Sequence, residues 1–127
     1  DGTKAFVGGV VGHFLSYSAT DSPRIQDRRR AIFGTTVRDA TFVTENGKTI
    51  LYTALGGGVL DKWDVSNAAA PLHVGQVSLR AAGATVELYG LRVDTATHRA
   101  YVTTSGGQFI IVDTEMLAPP TAAYLSY

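Results

Sequence analysis

The segment Ile50-Leu51-Tyr52-Thr53-Ala54-Leu55-Gly56-Gly57-Gly58-Val59-Leu60-Asp61-Lys62-Trp63-Asp64 returns without a gap as Arg99-Ala100-Tyr101-Val102-Thr103-Thr104-Ser105-Gly106-Gly107-Gln108-Phe109-Ile110-Ile111-Val112-Asp113. The offset is a constant 49, so Tyr52 falls on Tyr101, Gly57-Gly58 on Gly106-Gly107 and Asp64 on Asp113. A third copy opens the chain: Asp1-Gly2-Thr3-Lys4 matches Asn46-Gly47-Lys48-Thr49 at an offset of 45, which also places Gly12 on Gly57 and Leu15 on Leu60. Pro23, Pro71 and Pro119-Pro120 follow the three copies. A repeat unit of this size cannot bury its apolar face alone and must stack on its neighbours.

Each unit reads as strands joined by tight turns. Asn46-Gly47 is a turn signal because both residues tolerate positive φ. The β-rich run Thr49 to Thr53 follows it, and Gly56-Gly57-Gly58 turns the chain into a second run, Val59 to Val65, that stops at Ser66-Asn67. After Pro71, the alternation of His73 to Leu79 predicts another strand, and Val37 to Thr44 precedes the Asn-Gly turn. One unit is therefore a four-stranded antiparallel meander of roughly 45 residues, the size of a propeller blade. Helix signals are thin: Ala68-Ala69-Ala70 is cut off by Pro71, and Gly83 with Thr85-Val86 makes Arg80 to Ala84 a loop.

With strands lettered A, innermost, to D, outermost, residues 4–8, 13–18 and 28–33 are B, C and D of a first unit. Residues 37–44, 49–54, 59–65 and 73–79 are A to D of a second, and 89–94, 99–104, 108–113 and 122–126 those of a third. The expected fold is all-β, a β-propeller segment of about three four-stranded antiparallel blades, in a single partial propeller over 1–127 with blades near 1–34, 35–80 and 81–127. Three blades leave apolar faces uncovered, so the expected partner is protein: other copies of the chain or the remaining blades.

Two stretches carry a family resemblance. Gly58 to Gly75, with Asp64-Val65-Ser66-Asn67 ahead of Ala68-Ala69-Ala70-Pro71 and Val74-Gly75, resembles the LVIVD repeat, departing from it at Asp61-Lys62-Trp63, where aliphatics are usual, and at Ala68, where proline is usual. Val93 to Thr103 with Phe109 to Thr114 is similar to the YVTN type of blade. Trp63-Asp64 lacks the Gly-His partner of a WD40 blade. The resemblance covers most of 37–114 and weakly 1–23. It implies a blade architecture and, because such propellers are mostly secreted or envelope proteins of bacteria and archaea, an extracellular or periplasmic location.

Composition narrows the function. Eleven Lys and Arg balance eleven Asp and Glu, which argues against nonspecific binding to nucleic acid or anionic membranes. The absence of cysteine removes disulfides, zinc-thiolate sites and cysteine nucleophiles. Lys4 to Leu15 superficially resembles a signal segment but holds three glycines and is too short to span a bilayer, so no transmembrane segment is expected. A start at Asp1 fits a mature form or a piece of something larger.

The glycine turns lack the Gly-Lys-Ser/Thr of a phosphate loop, and no Gly-x-Ser-x-Gly elbow, calcium loop or paired carboxylates appear. His13, His73 and His98 fall on three different units without metal-ligand spacing. Asp64 and Asp113 recur at equivalent positions, the mark of a structural task, and an aspartate ending a strand can accept N–H bonds from the following turn. Arg28-Arg29-Arg30 reads as an outer edge strand guarded by charge. No catalytic residue, metal site or cofactor is therefore expected.

By fold analogy a binding site lies on the D–A and B–C loops, residues 34–37, 80–88, 9–12, 55–58 and 105–107, with Arg38, Arg80, Glu87 and Tyr89 as its polar and aromatic candidates. The leading expectation is a binding or scaffold propeller of a secreted or envelope protein. The alternative is a fragment of a propeller enzyme, an oxidoreductase or lyase, whose active site lies at the channel mouth and partly on other blades.

Overall fold

Asn46 and Gly47 adopt φ of 51° and 76°, the pair of positive values that a two-residue type I′ hairpin demands. They join β4 (Val37–Glu45) to β5 (Lys48–Leu55), with Glu45 opposite Lys48. Gly57 and Gly58, at φ of 86° and 80°, turn β5 into β6 (Val59–Asp64), and β7 (Leu72–Ser78) closes the order β4-β5-β6-β7. The pattern recurs as β8 (Leu88–Asp94), β9 (Arg99–Thr104), β10 (Phe109–Asp113) and β11 (Tyr124–Ser126). A three-stranded sheet, β1 (Lys4–Val7), β2 (His13–Tyr17) and β3 (Ile25–Arg30), precedes both.

The computed structural model describes residues 4–7, 13–17, 25–30, 36–67, 71–82, 87–117 and 124–126. The loop 9–12, the segments 31–35, 68–70 and 83–86, and Pro23 and Pro119-Pro120 lie outside the described residues. Within them the protein is all-β, every strand pairing is antiparallel, and the only helical turns are 3-10, at Leu79–Ala82 and Thr114–Met116. The first of these falls where a loop was expected; a single 3-10 turn is a common connector, and buried Leu79 anchors it.

The outer strand of the first sheet begins earlier than the expected 28: its described part is 25–30, and its ladder with β2 already pairs Tyr17 with Ile25, while 31–33 lie outside the described residues. The arginine run Arg28-Arg29-Arg30 does lie on an edge strand.

The second and third sheets pack through unlike faces. Ile50, Tyr52, Ala54, Leu60 and Val77 share one buried cluster with Leu88, Leu91, Ala100, Val102, Ile110 and Val112. Under the 49-residue offset Ala100, Val102, Ile110 and Val112 correspond to Leu51, Thr53, Asp61 and Trp63, which alternate with Ile50, Tyr52, Leu60 and Lys62 and so lie on the other face of the second sheet. The front face of one unit thus meets the back face of the next, a heterologous relation. The back of the second sheet holds its own cluster, Leu51 and Val65 with Ala40 and Trp63 against them.

The first strands of the two sheets lie side by side. Each carries a register shift, between Val37 and Asp39 and between Leu88 and Gly90. A bulge leaves backbone groups without ladder partners, and Asp39 fills that need: its carboxylate accepts from the N–H of Ala40 at 2.8 Å and of Leu91 at 2.9 Å. Gly90 is required at the second bulge, since a Cβ there would stand 2.7 Å from the Thr103 hydroxyl.

Candidate functional site

The D–A loop and the two B–C turns converge at one end of the second and third sheets. Glu87 makes an isolated bridge with Gly56; its carbonyl accepts from the Ser105 N–H at 2.9 Å, and its own N–H donates to the Ser105 hydroxyl at 3.2 Å. Gly56 donates to the Thr36 carbonyl at 2.8 Å, and Leu79 donates to the Gly58 carbonyl at 2.8 Å. Backbone groups of Thr36, Gly56, Gly58, Leu79, Glu87 and Ser105 are therefore engaged in hydrogen bonds beneath the candidate side chains.

Three of the four candidates meet there. Arg38 and Glu87 form an ion pair at 2.6 Å with side chains 36% and 26% exposed. The Arg38 guanidinium also lies 5.5 Å from the centroid of the Tyr89 ring, within cation–π range. The hydrogen bond that Arg38 donates to Glu87 raises the Arg38 pKa further and keeps its charge fixed. Arg80 does not join the three; its Nε donates to the Gly57 carbonyl at 3.0 Å and braces the B–C turn. Tyr89 is 51% exposed, which leaves an aromatic face beside a rigid cation and carboxylate. That combination can hold an extended or planar partner group by stacking and hydrogen bonding. The Ser105 hydroxyl is engaged with backbone, and no imidazole stands among these contacts.

His73 and His98 lie elsewhere. His73 Nε2 is 3.0 Å from an Asp61 carboxylate oxygen, and its ring centroid is 4.8 Å from that of Trp63. Asp61 is only 4% exposed; burial pushes its carboxyl up and the His73 contact opposes that shift. His98 sits in the turn between β8 and β9 at φ 55° and faces Glu115 at 3.8 Å. Among the described residues no His, Asp or Glu group is arranged to hold a metal ion.

The repeated aspartates carry the structural task read from the sequence. Asp64 accepts from the Ser66 N–H and Asp113 from the Glu115 N–H, each at 3.0 Å. Asp94 does the same for Ala96 at 3.0 Å and also accepts from the Thr97 hydroxyl at 2.7 Å.

Sequence reasoning missed a polar network at the opposite end of the sheets. The Tyr52 hydroxyl donates to Glu45 at 2.5 Å, Lys62 Nζ pairs with the other Glu45 oxygen at 2.7 Å, and that ammonium lies 5.4 Å from the Tyr52 ring centroid. Burial, then the contact with Glu45, raises the Tyr52 pKa far above the ordinary phenol value. A polar cavity of about 400 Å³ adjoins the network, lined by Glu45 and Lys62 from one sheet and by Thr95, His98 and Glu115 from the other unit. The available signal was Asp61-Lys62-Trp63 itself, polar residues at positions where the LVIVD pattern is aliphatic. Asp39 was missed too; its signal was an aspartate inside a β-rich run, where that residue is disfavoured.

Comparison with protein-family models, curated proteins and solved structures gives no match. Among the described residues no helix is long and apolar enough to cross a membrane.

Proposed function

We propose that this chain is a segment of a β-propeller of a secreted or envelope protein, and that it serves as a rigid protein-binding scaffold. The carrying observation is the loop end just described: Arg38, Glu87 and Tyr89 are held together on hydrogen-bonded backbone and remain accessible. The propeller reading is supported by the front-to-back packing of repeated meanders and by the adjacency of their first strands, joined through Asp39 and Leu91. A half-exposed tyrosine beside an arginine is the type of surface that dominates protein–protein binding energy.

The test is affinity capture on the immobilised chain, followed by purification of the captured protein and titration against variants. Tyr89→Ala and Arg38→Ala should weaken binding at least about tenfold, the size expected of residues at the centre of an interface. Their thermal melting should stay close to that of the parent, because both side chains are solvent-facing. Unchanged affinity in both variants would place the docking surface elsewhere.

A further inference from the structure

A lysine stands in the middle of β6, where strands disfavour it, and its charge is carried inside the molecule. Lys62 Nζ lies 2.7 Å from a Glu45 oxygen, and the two side chains are only 13% and 14% exposed. The other Glu45 oxygen accepts from the Tyr52 hydroxyl. Under the 49-residue offset the counterpart of Lys62 is Ile111, so the repeat itself places an aliphatic side chain at this point of the meander. A buried ion pair gains little stability over apolar residues of similar volume, because both charges give up their water. Stability alone therefore does not account for the pair. What distinguishes its surroundings is the polar cavity of about 400 Å³ where the second and third units meet, which Glu45 and Lys62 both line.

The cavity has the size of a small-molecule site, but its walls are not apolar. Thr44 and Asn46 from the second unit and Thr95 from the third add hydroxyl and amide groups, and Ala96 is the one apolar residue of the described lining. His98 and Glu115 stand at its rim, 3.8 Å apart and 47% and 66% exposed. This lining sorts ligands by chemistry. An apolar molecule would strip water from polar walls and pair with none of them. A phosphate or carboxylate would meet two carboxylates and a single ammonium already bonded to one of them. An organic cation would face the Lys62 charge, and no group of His, Asp or Glu among the described residues is arranged for a metal ion. Neutral hydroxyl groups suit every wall: each donates and accepts, Lys62 keeps N–H donors beyond its bond to Glu45, and the carboxylates keep acceptor positions. We propose that this cavity binds a small neutral polyhydroxyl compound, a sugar or polyol, held by the Glu45–Lys62 pair and the hydroxyl and amide groups around it. The site lies at the opposite end of the sheets from the Arg38–Glu87–Tyr89 cluster and does not depend on protein docking there.

The experiment is titration of the purified chain, followed by proton–nitrogen NMR, with D-glucose, D-galactose, D-mannose and myo-inositol in turn, each to its solubility limit. Inorganic phosphate and ethylammonium chloride serve as charged comparisons. The expected result is saturable shifts of the Asn46, Thr95 and His98 signals with at least one of the four neutral compounds and with neither ion. Lys62→Ile, which installs the repeat's own residue, should weaken that binding at least about tenfold, the effect of losing a hydrogen bond to a charged group. Should Lys62→Ile lose its native circular dichroism because Glu45 is left unpaired, Thr95→Val replaces it. That change removes a lining hydroxyl that holds no hydrogen bond in the fold, and it should weaken binding several-fold at unchanged melting temperature. Linear, non-saturating shifts with all four compounds overturn the proposal. So do saturable shifts with phosphate or ethylammonium in place of the sugars, which would mean a charged ligand, and so does unchanged affinity in the folded variant.

Discussion

Tyr52 and Tyr101 are the same residue at the same place in the repeat, and their environments set very different energetic roles. Tyr52 has 0% exposure, packs in the cluster between the sheets and donates to Glu45 at 2.5 Å. Tyr101 is half-buried on the outer face. Replacing a fully buried large aromatic by alanine costs about 3–5 kcal/mol through lost burial and the cavity left behind. The Glu45–Lys62 pair would in addition lose its hydroxyl partner, so Tyr52→Ala belongs at the upper end. Tyr101→Ala removes only partial burial and one stacked contact, about 1 kcal/mol. At roughly 3–5 °C per kcal/mol for a chain of this length, the two variants should melt well apart. The assay is urea and thermal denaturation followed by circular dichroism, at a concentration low enough to keep the chain monomeric. Equal losses at the two sites would refute the front-to-back packing, since only that arrangement makes equivalent tyrosines unequal.

Asp39→Ala should destabilise by about 2 kcal/mol, since it strips the acceptor from the Leu91 N–H beside a buried side chain, while Asp39→Asn keeps an acceptor and should lose less in the same denaturation assay. Gly90→Ala should cost about 1–3 kcal/mol by overpacking against Thr103, and combination with Thr103→Ala should recover part of it, a coupling that a double-mutant cycle reads directly. The acid limb of stability has two opposed contributions. The Asp64 and Asp94 carboxyls are held low, chiefly by the bonds from Ser66 and from Thr97 and Ala96, so they stabilise the fold above the ordinary carboxylate pKa and that contribution fades as pH falls through their folded values. Asp61 is raised by burial, so its contribution is present at low pH and is lost as pH rises through its folded value. Asp64→Asn should therefore flatten the loss of stability at acid pH, and Asp61→Asn should gain relative to the parent towards neutrality, both measurable as melting temperature against pH.

Much of the fold was legible because turn chemistry and repeat spacing act locally. Asn46-Gly47 and Gly57-Gly58 take the positive φ values that their types favour, and strands between such turns have few alternative registers. The start of the outer strand of the first sheet at Ile25 was not legible, because it is set by the pairing of Ile25 with Tyr17 rather than by its own residues. Arg38, Glu87 and Tyr89 could be placed near one another because loop positions follow from strand order. The bracing role of Arg80 could not, since it depends on the side chain reaching back to the Gly57 carbonyl across 23 residues. The Glu45–Lys62–Tyr52 network is a tertiary arrangement of the same kind: spacing alone does not reveal that a lysine in a strand centre meets a carboxylate from another strand. Of its residues only Lys62 stood out, as a departure from an aliphatic pattern.

The central claim is that consecutive units stack front to back. Proton–proton contacts in solution NMR of the monomeric chain test it most directly. The account predicts contacts from the Ile50 and Tyr52 side chains to the methyl groups of Val102, Ile110 and Val112, which share their cluster. Contacts from Tyr52 to Ile111 or Phe109 instead would place like faces together and contradict it.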